Sequence, residues 1–344
     1  MANINIKMIA ERIKLSSGTV SIVLNGRGNE MRIAQETQNR IWEEAKKLGY
    51  KPNIYARRLR QQSGEKAAAV IGILWPSLYS SEQLVRFFDG IQNSILNDKM
   101  KIEVVFKPYR LNEIETIENV FRNQLYNGVI IVGASNNDIE YIGTLKCTMP
   151  IVFFNRQSDK FGSVCVDEYK AGEKVSQLMA ARGHKTAGLI EVDLLRRNFS
   201  MRKAGFLDAC RQYGITVAPE HIIQESLDKD GGRLSMEKLL KSGTLPTVLF
   251  FSAVNFVPTA YSVLQQNEIR IPQDMEIIGY TDILSSVLLK PSLTVIDTPI
   301  QKMVKKCLEL ILDMINGRIL DSHTIYEETH FIFRESCGGF PDSK

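Results

Sequence analysis

Along the first fifty positions, apolar residues recur every three to four residues, the spacing of short helices that each bury one face. Ile6, Ile9, Ala10 and Ile13 predict a first helix capped by Asn5, and Leu15-Ser16-Ser17-Gly18 interrupts it. Ser16 can cap a second helix that turns Val20, Val23 and Leu24 inward. Asn25-Gly26 ends that helix, since both residues tolerate the left-handed conformation. After a loop from Arg27 to Arg32, the spacing of Ile41, Ala45 and Leu48 predicts a third helix from about Gln35 to Leu48, closed by Gly49. The chain then extends through Tyr50-Lys51-Pro52-Asn53, because proline disfavours helix at Lys51. Helical spacing returns from Ile54 to Arg60, followed by the polar connector Gln61-Gln62-Ser63-Gly64.

From Ala67 onward the pattern changes to short apolar, β-branched runs. These predict strands at 69–75, 102–106, 129–132, 151–154, 163–166, 187–191, 247–251, 276–280 and 295–296. Amphipathic stretches at 83–97, 114–125, 170–182, 202–213, 235–242, 258–266 and 300–316 predict helices between most of them. Strands that are apolar on both faces imply parallel βαβ units. Some 275 residues of this pattern exceed one comfortable domain, so two similar α/β lobes are expected.

Charge sharpens the division. The net charge is +4, but residues 1–66 hold thirteen Lys and Arg against six Glu, so the head carries +7 and the remainder −3. A small basic segment on a mildly acidic body suits phosphate binding. The longest apolar run, around 67–75, is about half of what spans a bilayer, and Met1-Ala2-Asn3 opens no signal pattern; a cytoplasmic protein with no membrane partner is expected. The five cysteines form no Cys-x-x-Cys pair and read as reduced thiols, and the four histidines have no metal-ligand spacing; neither a metal nor a cofactor is expected. Nucleophile elbows, zinc-protease helices and Walker loops are absent, so no enzyme is predicted. Asp167/Glu168 reads as a helix N-cap rather than a catalytic dyad.

The remaining motifs sit in the head. Ser16, Ser17, Gly18, Thr19, Ser21 and Ile22 lie at the start of the second helix, where small hydroxyl residues and free N–H groups suit phosphate contact. Thr19-Val20-Ser21-x-Val23-Leu24-Asn25-Gly26, Glu36-Thr37, Leu48-Gly49-Tyr50-x-Pro52-Asn53 and Ala56-Arg57-x-Leu59 together resemble the lactose repressor (LacI/GalR) family of transcription regulators. Asn155-Arg156, Val166-Asp167, Arg182-Gly183-His184, Arg202-x-x-Gly205-Phe206, Ile278-Gly279-Tyr280-x-Asp282 and Arg334-Glu335-Ser336 extend the likeness over nearly the whole chain.

The resemblance implies an α/β protein with a helix-turn-helix head (1–50), a hinge helix and linker (51–64), and two Rossmann-like lobes of the periplasmic-binding-protein type. The lobes are expected at 67–157 plus about 290–322, and at 158–289 plus about 323–340. It implies a homodimer on a palindromic operator in double-stranded DNA, with Leu59 wedged into the minor groove. Asn5, Ile6, Ser16, Ser17, Gly18, Thr19, Ser21, Ile22, Asn25, Arg32, Tyr50, Asn53, Ala56 and Leu59 become the expected DNA contacts. Tyr79, Ser81, Asn155, Arg202, Ala253 and Thr281 become the expected effector contacts, for a small molecule derived from a carbohydrate.

Two departures qualify this picture. Ile22 stands where the family commonly has a base-reading arginine, so hinge and phosphate contacts are expected to carry more of the recognition than the helix does. Ala253-Val254 and Thr281 replace sugar-holding Asn and Asp residues, while Arg202 is kept. Two readings of such a site stand side by side: one that suits an anionic or less hydroxylated ligand better than a neutral sugar, and one that no longer binds a small molecule. A repressor is therefore expected, with a solute-binding protein lacking DNA function as the alternative.

Overall fold

A computed structural model describes residues 6–24, 28–29, 31–48, 68–77, 81–122, 125–145, 147–193, 197–228, 230–319 and 322–341. The head consists of α1 (Ile6–Ile13), α2 (Ser17–Leu24) and α3 (Gln35–Lys47). Ile9, Ala10, Val20, Val23, Leu24, Ile41 and Ala45 meet in one small core, as their spacing predicts. Ser16 caps α2: its Oγ accepts the Thr19 N–H at 3.0 Å.

Twelve strands among the described residues form two six-stranded sheets. The first runs β11-β5-β4-β3-β1-β2, with β1 (Ala69–Pro76), β2 (Ile102–Tyr109), β3 (Gly128–Val132), β4 (Ile151–Phe154), β5 (Gly162–Val166) and β11 (Thr324–Glu327). The second runs β12-β10-β9-β8-β6-β7, with β6 (Ala187–Val192), β7 (Ile222–Glu225), β8 (Val248–Phe251), β9 (Glu276–Tyr280), β10 (Thr294–Asp297) and β12 (His330–Ile332). Every pairing is parallel except β10 with β12. Each sheet thus repeats one doubly wound order, second-first-third-fourth-fifth. The first lobe packs α4 (Ser81–Leu96) and α12 (Ile300–Ile315) on one face. The second is covered by α7 (Glu168–Ala181) and α8 (Arg197–Gln212) on one face and by α9 (Gly231–Lys241) and α10 (Val257–Gln266) on the other. The short helices α5 (Asn119–Arg122), α6 (Asn136–Thr144) and α11 (Leu284–Leu288) lie in connections.

The structure moves the expected lobe boundaries. Residues 162–166, expected in the second lobe, form β5 and pair with β4 of the first. Residues 294–297, expected in the first, form β10 and pair with β9 of the second. The chain therefore crosses between lobes just after β5, between β10 and α12, and between β11 and β12. Membership is decided by ladder hydrogen bonds between distant segments, which local apolar runs do not encode. The stretch expected as one helix over 114–125 is a 3₁₀ turn at Ile114–Ile117 followed by α5.

Candidate functional site

Both sheets end their strands at one cleft. Trp75 is the last residue but one of β1, Val132 closes β3, Phe154 β4, Val192 β6 and Tyr280 β9, and Ser252 follows β8; all line a cavity of about 260 Å³. The carboxyl ends of parallel strands are where open α/β sheets bind ligands. Two wall residues sit there in left-handed backbone, Asn155 (φ 52°) and Thr281 (φ 72°). Asparagine tolerates that conformation, whereas β-branched threonine is strained in it, a condition that gathers at binding sites.

The first lobe supplies an aromatic wall. Trp75 and Phe87 meet edge to face with centroids 5.2 Å apart, and Phe87 meets Phe154 in the same way at 5.1 Å. Gln83, one turn before Phe87 on α4, adds an amide. The second lobe supplies Asn198, Asn255, Ser252, Thr281 and Arg202. The buried Asn198 Oδ1 and Ser252 Oγ have no hydrogen-bond partner among the described residues. Buried polar atoms are seldom left unpaired, so both are groups that a ligand or water would meet.

Arg202 is the most deeply buried charged residue of the cavity wall, 1% exposed. Its Nε donates to Glu168 Oε2 at 2.9 Å, its Nη2 pairs with the same oxygen as an ion pair at 2.8 Å, and its Nη1 donates to the Ser252 carbonyl at 2.6 Å. The guanidinium lies 3.2 Å from the centroid of the Tyr280 ring. Glu168 also accepts from the Tyr280 hydroxyl at 2.8 Å and from Asn155 Nδ2 at 3.1 Å. Burial, then the neighbouring Glu168 charge, pushes the Tyr280 hydroxyl far above its ordinary range, so it stays a donor. A hydroxyl chain runs back to the cleft: Thr281 donates to Thr298 at 3.3 Å, and Thr298 to Tyr280 at 3.1 Å.

Two glycines make this pairing possible. A Cβ on Gly172 of α7 would strike the Arg202 carbonyl, and one on Gly205 of α8 would strike that of Tyr169. The helices therefore touch backbone to backbone, which brings Glu168, at the start of α7, against Arg202 on α8.

Of the expected effector contacts, Asn155, Arg202, Ala253 and Thr281 line the cleft. Tyr79 lies outside the described residues, and Ser81 opens α4, where the wall is formed by Gln83 and Phe87. The reading of Asp167/Glu168 as an N-cap holds for Asp167, whose Oδ1 accepts the Lys170 N–H at 3.0 Å, and not for Glu168, whose partner is Arg202, 34 residues away. Arg202 is thus not the uncompensated cation on which the expectation of an anionic ligand rested. Trp75 and Phe87 supply the aromatic surface beside Gln83.

In the head, Ser16, Ser17 and Gly18 are exposed and Thr19, Ser21 and Ile22 half-buried, opposite the buried Val20, Val23 and Leu24. Arg32 is exposed, with a left-handed backbone, in a loop tied to α3 by Gln38. Gln38 Nε2 donates to Asn29 Oδ1 at 2.9 Å and to the Ile33 carbonyl at 2.7 Å. Ile6 opens α1; Asn5, Asn25, Tyr50, Asn53, Ala56 and Leu59 lie outside the described residues.

Residues 177–337 match the family described as a periplasmic binding protein-like domain. The "Probable HTH-type transcriptional repressor ExuR" of Bacillus subtilis (strain 168) is 25% identical, over 97% of this chain and 98% of that protein. A crystal structure of a LacI family transcription regulator from Clostridium acetobutylicum is 31% identical. It superimposes with a TM-score of 0.74, covering 77% of this chain and 99% of that one. The transcriptional regulator CelR in complex with cellobiose, 20% identical, shares the fold over 97% of this chain and 100% of its own, with a TM-score of 0.71.

Proposed function

This chain belongs to the LacI family of transcription regulators, and we propose that it works as a homodimeric repressor whose two heads grip a palindromic operator under the control of a ligand held between the lobes. The observation that carries this reading is the cleft itself, whose walls come from both sheets while a helix-turn-helix head precedes them. A ligand touching Trp75 and Phe87 on one side and Asn255 and Thr281 on the other stabilises one lobe disposition over another. Coupled to the heads, such a preference changes operator affinity, typically by a factor of about 5–150.

Exposed apolar side chains support the dimer. Val85 and Phe88 on α4 face solvent, as do Leu284, Val287 and Leu288 on α11, with Leu284 71% exposed. Arg86 links the two regions by donating to the Asp282 carbonyl at 2.7 Å. A clustered apolar surface of this kind marks an interface, and one two-fold axis would pair both patches.

In the head, the exposed Ser16, Ser17 and Arg32 suit phosphate contact, and Ser21 and Ile22 suit the groove. Leu59 serves as the minor-groove wedge. Leu59→Ala is expected to weaken operator binding more than non-specific binding, and equal losses would remove the wedge. The whole reading is tested by selecting binding sites for the intact protein from a random DNA pool. It expects a two-fold symmetric site holding two chains, with affinity falling by orders of magnitude between about 50 and 200 mM salt. Recovery of no preferred sequence would refute it.

A further inference from the structure

Resting on the reading of the cleft as an effector site, we infer that Glu168 sets the charge preference of that site: by neutralising Arg202 from behind, it makes the cleft select an uncharged polyhydroxy ligand over its carboxylate counterpart. A buried arginine facing a cleft ordinarily attracts carboxylate or phosphate through paired N–H donors. Here the Nε/Nη2 edge that would form such a pair is already on Glu168 Oε2, at 2.9 and 2.8 Å.

Glu168 is 7% exposed and does not line the cavity; it sits behind Arg202 and Tyr280, held by three donors, Arg202 Nε, the Tyr280 hydroxyl and Asn155 Nδ2, and by the ion pair to Arg202 Nη2. It is therefore a positioning residue. Every other side chain described in the cavity wall is uncharged. A ligand carboxylate would lose its hydration and meet a pair with no net charge, with the Glu168 charge repelling it through a dry interior. Hydroxyl groups face no such penalty. They would find the unpartnered Asn198 Oδ1 and Ser252 Oγ, the Asn255 and Gln83 amides, and the apolar faces of Trp75 and Phe87.

The test measures calorimetric affinities of the intact protein for matched methyl glycosides and methyl uronosides of the gluco and galacto series. Within each pair the ligands differ only in CH₂OH against CO₂⁻. The wild type is expected to bind an uncharged member at least tenfold more tightly than its uronoside, a result read without any variant. Glu168→Gln, which keeps the shape and removes the charge, is expected to shift that ratio at least tenfold toward the uronoside. A merely structural role for Glu168 would weaken both partners alike and leave the ratio in place. A wild-type preference for the uronoside, or an unchanged ratio in Glu168→Gln, overturns the inference while the effector reading stands. Binding of no member of the panel overturns both.

Discussion

Replacing Gly205 with alanine tests whether the α7–α8 contact builds the cleft. The added Cβ would lie closer to the Tyr169 carbonyl than the 3.0 Å that real Cβ atoms respect, and ordinary contact begins near 3.4 Å. The obstacle is backbone rather than a flexible side chain, so the helices must part by roughly an ångström. Overpacking of this kind costs about 1–3 kcal/mol, and the rigid obstacle puts Gly205 at the top of that range. Alanine's better helix propensity offsets about 1 kcal/mol, leaving a net loss of about 2 kcal/mol. For a folding unit of this size, that lowers Tm by roughly 4–8 °C, measurable by circular dichroism. The separation also draws Glu168 away from Arg202, so ligand affinity is expected to fall along with Tm. A variant as stable as the wild type would show that the helices do not touch at this glycine. One that melts early but binds ligand normally would detach the helix contact from the site.

Ser16→Ala removes the cap of α2; the head is expected to lose about 1 kcal/mol and some operator affinity, and an unchanged head melt would contradict the cap. Glu276 is buried, which by itself raises its pKa, but hydrogen bonds from Arg182, His184 and Cys337 outweigh burial and hold it at about 2 instead of 4.5. A lowered folded-state pKa contributes stability above the unfolded value that is lost as pH falls toward the folded one. The stability gap between wild type and Glu276→Gln is therefore expected to be on the order of 3 kcal/mol above about pH 5 and to shrink between pH 4.5 and 2; a gap that does not vary with pH would contradict this. Arg86 donates to both carboxylate oxygens of Asp297 at 2.8 Å, so Arg86→Leu leaves a buried acid without its cation and is expected to cost about 3–5 kcal/mol; chemical denaturation showing less than 1 kcal/mol would mean the pair is solvated.

Much of the fold was legible because it is encoded locally. The three head helices follow from their own spacing, and the central strands from apolar runs long enough to be buried on both faces. The strands that escaped notice, β7, β11 and β12, are short edge strands with mixed exposure, such as the half-exposed Thr324-Ile325-Tyr326 run. Assigning β5 and β10 to lobes required knowing their ladder partners. At the site, Asn155, Arg202, Ala253 and Thr281 could be named from motifs, but what Arg202 does could not. Its charge is met by Glu168, which a local reading takes for the first turn of a helix, and the two meet only because Gly172 and Gly205 let their helices touch. The expected preference for an anion came from counting the arginine without its partner.

Occupancy of the cleft is expected to change the grip of the head on DNA. Fluorescence anisotropy of the intact protein on its selected operator, at fixed salt, measures this directly, with and without a saturating ligand shown by calorimetry to fill the cleft. The two dissociation constants are expected to differ by a factor of about 5–150. Identical affinities with the cleft full and empty would contradict it.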